Sequence, residues 1–182
     1  MKSSNKNSVS AYCAVAHPDD CVIFAWPFIR KYSHYNWTIV YLTYNEQDER
    51  AQEAQKFWQQ YDVDTVFLGH IDHYRDLEQG VITTFNTELA EYKLLSALQD
   101  ADLILTHNAD GDYGHIHHKF VHECIAKLYT PQVYFASDFN CDTEIISEAF
   151  DIEQWPIHKS VIQEFQDRHI GRYQDKYHVR ID

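Results

Sequence analysis

An apolar run, Ala14-Val15-Ala16, ends abruptly in His17-Pro18-Asp19-Asp20, an imidazole and two carboxylates at a rigid turn. Pro18 fixes its own φ and drives His17 towards extended geometry. His17 and Asp20, three apart across that turn, can then reach one ion while Asp19 points elsewhere in the same cavity. Far along the chain, Asp112-Tyr113-Gly114-His115-Ile116-His117-His118 offers the further imidazole that such a centre needs. Two imidazoles and one carboxylate leave a coordination position open, which is the catalytic rather than the structural zinc pattern. A single carboxylate leaves a divalent ion with net positive charge, which brings the pKa of a coordinated water to about 7. Asp19 is then placed to take that water's proton. Iron(II) or another divalent ion accepts the same ligands, so Zn2+ is preferred and Fe2+ is the alternative.

Blander readings stand beside this one. Alone, His-Pro-Asp-Asp is a turn whose carboxylates cap a helix. His118 and His122, four apart on a predicted helix, form a competing ligand pair. Asn108-Ala-Asp-Gly-Asp112 hints at a calcium loop but lacks the glycine at the sixth position and the glutamate at the twelfth. His70 and His73 fall in a predicted loop near the site, where His70 is a candidate substrate contact. Trp26, Trp37 and Trp58 read as core, whereas Trp155 is a candidate for stacking on a sugar ring or for an interface.

The elements that must position these residues follow from hydrophobic period. Strands are expected at 10–16, 37–43, 65–68, 103–106 and 132–136, with a further one at 144–150. Helices are expected at 21–32 (kinked at Pro27), 46–61, 85–99, 118–128 and 159–168. Alternating strands and helices predict an α/β fold: one Rossmann-like domain with a mostly parallel sheet of about five strands flanked by helices. In such a sheet the His17 turn and the histidine loop both open on the carboxyl edge. Residues 1–9 read as a flexible tail and 10–182 as the domain. No GxGxxG follows the first strand, so dinucleotide binding is not indicated.

Composition narrows the partners. The 182 residues are 45% hydrophobic with a formal net charge of −13, so long-range attraction to nucleic acid or an anionic membrane is disfavoured. The stretch before His17 is too short for a signal-peptide core and cannot span a bilayer. Cys13, Cys21, Cys124 and Cys141 form no CxxC pair; three of them fall in or near predicted buried elements and read as small apolar filler, and a reducing cytoplasm is the default. Homo-oligomerisation is left open.

His17-Pro-Asp-Asp20 followed by Asp112-Tyr-Gly-His115-x-x-His118 resembles the PIG-L/LmbE-like de-N-acetylases, zinc enzymes that remove acetyl groups from N-acetylglucosamine-type amino sugars and related compounds. Arg50-x-x-Glu53 and Leu68-Gly69-x-x-Asp72 are similar to two further motifs of that family, and the likeness runs from residue 14 to around residue 123. The resemblance implies His17, Asp20 and His118 as metal ligands and Asp19 as general base. It implies His115 as the protonated partner that stabilises the oxyanion or protonates the leaving amine, and Tyr113 as a hydrogen-bond donor to the acetyl oxygen. Arg50 and Asp72 would line the site or bind substrate hydroxyls. Two positions depart from the pattern: Cys21 stands where the family usually has Glu, and His117 where it usually has Asp. Either Asp110 or Asp112 replaces that missing carboxylate beside His115, or the acid role of His115 is weakened. The expected substrate is a small N-acetylated molecule, a sugar or nucleotide sugar. The alternatives are a non-catalytic metal- or carbohydrate-binding member of the fold and a hydrolase of a non-sugar amide.

Overall fold

A computed structural model describes residues 8–77, 80–135, 144–146, 151–168 and 177–181. Strand β1 (Ser10–Val15) is the axis of a sheet ordered β3-β2-β1-β6-β7-β9-β8. Strands β2 (Asn36–Thr43), β3 (Asp64–His70), β6 (Leu103–Thr106) and β7 (Gln132–Phe135) run parallel with β1. The period of two along the strands divides the interior. Ala11, Cys13 and Val15 of β1 face one core with Trp37, Ile39 and Tyr41 of β2, while Ala14 joins Val40, Leu42 and Ile104 in the other. Both sides are therefore apolar, which is why the central strands read as nearly continuous hydrophobic runs.

The first core is roofed by a π-helical turn (Cys21–Ala25), α1 (Trp26–Lys31) and α2 (Glu49–Gln59). Pro27 sits in the first turn of α1, where a missing N–H costs nothing, so the expected kink is a change of helix type at Trp26. The second core lies under α3 (Thr87–Ala97) and α4 (Ile116–Ile125). Strand β1 pairs with β2 on one side and β6 on the other, so the chain departs from it in opposite directions. The crevice at that switch point, beyond the carboxyl ends of β1 and β6, is where an open α/β sheet places its site. No helix among the described residues is long and apolar enough to cross a membrane.

Three features differ from expectation. The sheet is extended at its far edge by an unexpected antiparallel strand, β9 (Tyr177–Ile181), which pairs with β8 (Glu144–Ile146), at the start of the strand expected at 144–150. The alternation Tyr177-His-Val-Arg-Ile181 carries β9, and a five-strand reading overlooks it. A short hairpin, β4 (Tyr74–Leu77) with β5 (Gly80–Thr83), occupies a stretch without a clear apolar period. Trp155 is fully buried beside Phe57, with ring centroids 4.9 Å apart, so it is core and not an exposed stacking platform. It follows a 3₁₀ turn (Ile152–Gln154) that leads into α5 (Lys159–Arg168). Residues 1–7 of the expected tail, Ala136, Cys141 and the end of the 144–150 strand lie outside the described residues.

Candidate metal centre

The turn after β1 closes on itself: the backbone N–H of His17 donates to Asp20 Oδ2 at 2.7 Å, and that of Asp20 to the His17 carbonyl at 3.3 Å. His17 Nδ1 thereby lies 3.2 Å from Asp20 Oδ2. Helix α4 begins two residues earlier than its apolar period suggests, with His115 as its N-cap, which puts both His117 and His118 in the first turn. His118 Nε2 reaches 3.3 Å from His17 Nδ1 and 3.3 Å from Asp20 Oδ1. Ligands about 2.0–2.1 Å from a zinc ion at tetrahedral angles stand about 3.3 Å apart; the two nitrogens meet that spacing directly, and the Asp20 carboxylate meets each of them through a different oxygen, so this buried triangle of residues has the size a divalent cation requires.

The carboxylate of Asp112 orients the triangle from behind. His118 Nδ1 lies 2.9 Å from Asp112 Oδ2 and donates its proton there, which leaves the Nε2 lone pair directed at His17 and Asp20. His107 Nδ1 bonds to the same oxygen, while His107 Nε2 accepts the Ala16 N–H at 3.0 Å. Accepting that N–H calls for an unprotonated Nε2, while Asp112 and Asp20 pull the other way and, against burial, raise the ring's pKa to about 9. Gly111 makes this loop possible. At φ +69° it adopts a conformation that side chains resist, and an added Cβ would stand 2.7 Å from the His115 carbonyl oxygen. Asp112, also left-handed at φ 63°, is of the type that tolerates it.

Without an ion, the charges depend on one another. Burial lowers the pKa of His17, but Asp20 and Asp72 more than reverse this and raise it to about 10. Burial opposes the ionised form of Asp20, and His118 and His17 still hold it well below the ordinary carboxylate range. The site is thus built to receive positive charge.

Asp19 is buried beside the triangle, with Arg50 Nη2 3.6 Å from its Oδ1. Arg50 Nη1 lies 3.6 Å from Asp72 Oδ2 and bonds to the Tyr44 hydroxyl, which in turn donates to Asp72 at 2.8 Å. Burial, and then the Asp72 carboxylate, push that hydroxyl up to about 12, so it stays a donor. Tyr44 has φ 66°, a strained geometry for a bulky residue and one that lets its ring turn back over the site. Arg50 Nε donates to His158 Nε2 at 2.9 Å, and His158 Nδ1 bonds to Glu53. Glu53 also accepts the backbone N–H groups of Ile157 at 2.6 Å and His158 at 3.1 Å, tying the C-terminal segment to α2.

A cavity of about 310 Å³ opens here, with walls that include His17, Asp19, Asp20, Arg50, Asp72 and His115 and with Tyr113 half-exposed at the rim. His115 Nδ1 accepts the His117 N–H at 3.2 Å, which places the ring's proton on Nε2. Burial, together with His17 and His118, pulls its pKa down to about 3, so it is a neutral hydrogen-bond donor. Of the two carboxylates considered as substitutes beside His115, Asp112 is committed to His107 and His118. His117 Nδ1 lies 3.2 Å from His17 Nε2 and 3.6 Å from Asp72 Oδ1. His122 Nδ1 bonds to the His107 carbonyl at 2.9 Å, and His122 is in none of the convergent ligand groups among the described residues. His70 is buried at the end of β3 against Phe85 and is not among the residues of the cavity wall. Cys21 sits beneath the turn, where its sulfur accepts from Tyr41 O–H at 3.0 Å and Trp58 Nε1–H at 2.9 Å.

His107, Tyr44 and His158 are the site residues that motif reasoning passed over. His107 had a signal, since it ends an apolar strand as His17 does. His158 had none, because only the fold brings it to Arg50.

The family model described as "PIG-L: GlcNAc-PI de-N-acetylase" matches residues 13–129. No curated protein sequence matches. Among solved structures, the chain is similar to N,N'-diacetylchitobiose deacetylase from Pyrococcus horikoshii, at 15% identity and TM-score 0.57 over 97% of this chain and 85% of that one. It is also similar to a deacetylase of teicoplanin biosynthesis, at 10% identity and TM-score 0.58 over 96% and 99%. A third likeness is to the 4-carboxy-2-hydroxymuconate hydratase GalB from Pseudomonas putida KT2440, at 14% identity and TM-score 0.56 over 94% and 95%. At these identities the likeness establishes the fold.

Proposed function

Because the chain belongs to the PIG-L family, we propose that it is a metal-dependent de-N-acetylase acting on an N-acetylated amino sugar or a related small molecule. The observation that carries this reading is the triangle of His17 Nδ1, Asp20 and His118 Nε2, with edges of 3.2–3.3 Å, beside the buried carboxylate of Asp19. A divalent ion held by those three residues, zinc by preference, would supply Lewis acidity and a water acidic enough to ionise near neutral pH.

The chain's own residues do the rest. Asp19, held by Arg50, accepts the proton of the attacking water and passes it to the departing amine. The Nε2–H of His115 and the hydroxyl of Tyr113 donate to the acyl oxygen as it gains negative charge. A neutral His115 suits that task, since a donor needs to hold its proton and not surrender it. Arg50 and Asp72, braced by the Tyr44 hydroxyl between them, present a fork and a carboxylate to the substrate's own hydroxyls. The cavity of about 310 Å³ is at the small end for ligand pockets, which favours one sugar ring at the centre. His70, behind the wall, would act on the substrate only by supporting that region.

The test is acetate release across a panel of N-acetylated sugars and non-sugar amides. Asp19→Asn should lower kcat by about 100-fold or more with metal content unchanged. Undiminished turnover would remove Asp19 as base, and no release from any amide would favour a binding protein.

A further inference from the structure

His17 stands between two triangles, and only one of them has been used. On its Nε2 side, Asp72 Oδ1 lies at 3.2 Å and His117 Nδ1 at 3.2 Å, and those two atoms are 3.6 Å from each other. The edges again match the separation of about 3.3 Å between ligands on a tetrahedral zinc ion. A proton on His17 Nε2 accounts for the two short edges as hydrogen bonds. It does not account for the position of His117 Nδ1 facing Asp72 as well. Ring nitrogens of His17, His115 and His117 converge within 4.8 Å, so a fourth donor stands nearby. The set combines one carboxylate with imidazoles, a ligand mixture suited to zinc. Asp72 and His115 belong to the cavity wall, which opens a path for an ion from solvent.

We propose that this chain carries a second divalent-cation site, formed by Asp72 Oδ1, His117 Nδ1 and His17 Nε2, with His115 alongside. It is created by the histidine at position 117. The inference rests on the first triangle only in sharing His17. When that triangle is filled through Nδ1, the ring's proton is on Nε2, and the second ion must displace it to water to make His17 a bridging ligand. The second ion therefore binds more weakly than the first. It also occupies the wall where substrate hydroxyls would lie, so excess metal inhibits.

The test titrates metal-free protein with Zn2+ alone, counting bound ions by equilibrium dialysis and elemental analysis, and repeats the titration with Co2+ to follow its visible absorption. Wild type should bind two ions per chain, the second at least tenfold more weakly, with a separate change in the Co2+ spectrum at the second equivalent. His117→Gln and Asp72→Asn should each bind one ion and lose that second spectral change. Asp72, at the edge of the cavity, serves as the variant least exposed to folding failure. One ion in wild type and in both variants would overturn the second site and leave the proposed function standing. Two ions in both variants would place the second site elsewhere. No ion in wild type would overturn both readings together.

Discussion

Asp112→Asn removes the group that sets the tautomer of His118. The carboxylate is buried and accepts from both His107 and His118, the latter at 2.9 Å. Those two imidazoles hold its pKa below the ordinary value although burial pulls the other way. An asparagine offers one oxygen where the two protons now find a carboxylate. An asparagine oxygen in the place of Oδ2 still meets both imidazoles but carries no charge, and its NH2 takes the place of Oδ1 against the Asn108 N–H, so the Nδ1 proton of His118 is held less firmly and its Nε2 becomes a weaker ligand. Loss of such a supporting carboxylate weakens metal binding by about 10–100-fold, or about 1.4–2.7 kcal/mol. Competition for Zn2+ against a chromophoric chelator measures this directly, and a urea titration of the metal-free protein checks that the fold persists. An affinity within twofold of wild type would refute the argument that Asp112 holds His118 in its ligating form.

Arg50→Lys keeps the charge but loses the fork that joins Asp19, Asp72, Tyr44 and His158, so kcat/KM should fall by about tenfold or more at unchanged metal content; a wild-type value would detach Arg50 from the site. Cys21→Ala leaves the Tyr41 hydroxyl and the Trp58 N–H buried without their acceptor. A loss of about 1–3 kcal/mol in urea unfolding is expected, and an unchanged midpoint would contradict it. Burial lowers the pKa of His158, with Asp19 and Glu53 only partly opposing, so the unfolded chain binds the proton more readily than the fold does. The neutral ring therefore contributes its stability above about pH 6.5 and loses it as the pH falls. His158→Gln should flatten the decline in unfolding free energy as the pH falls below about 6.5; an equally steep decline would show that other groups cause it.

How much was legible depended on whether chemistry was local. The end of an apolar strand is a place where a buried sheet meets its crevice, and that rule finds His17, Asp19 and Asp20 without any structure. The same rule applies to Thr106-His107, but the acidic residues that follow invite comparison with a calcium loop and draw attention away from the histidine. Asp112 was legible only as a charge; its partners depend on left-handed turns at Gly111 and Asp112. Helix α4 begins earlier than its apolar period because His115 caps it, and capping is a matter of one hydrogen bond. The link from Glu53 through His158 to Arg50 spans more than half the chain and leaves no pattern to read. Trp155 misled for a related reason: an irregular flanking sequence says nothing of which core a side chain enters.

The central claim is that the end of β1 and the start of α4 hold one ion between them. An anomalous difference map collected at the zinc edge, from crystals of the metal-loaded protein, tests it most directly. The account predicts a peak about 2.0–2.2 Å from His17 Nδ1, an Asp20 oxygen and His118 Nε2. Zinc located away from these three atoms, or protein that takes up no divalent ion, would contradict it.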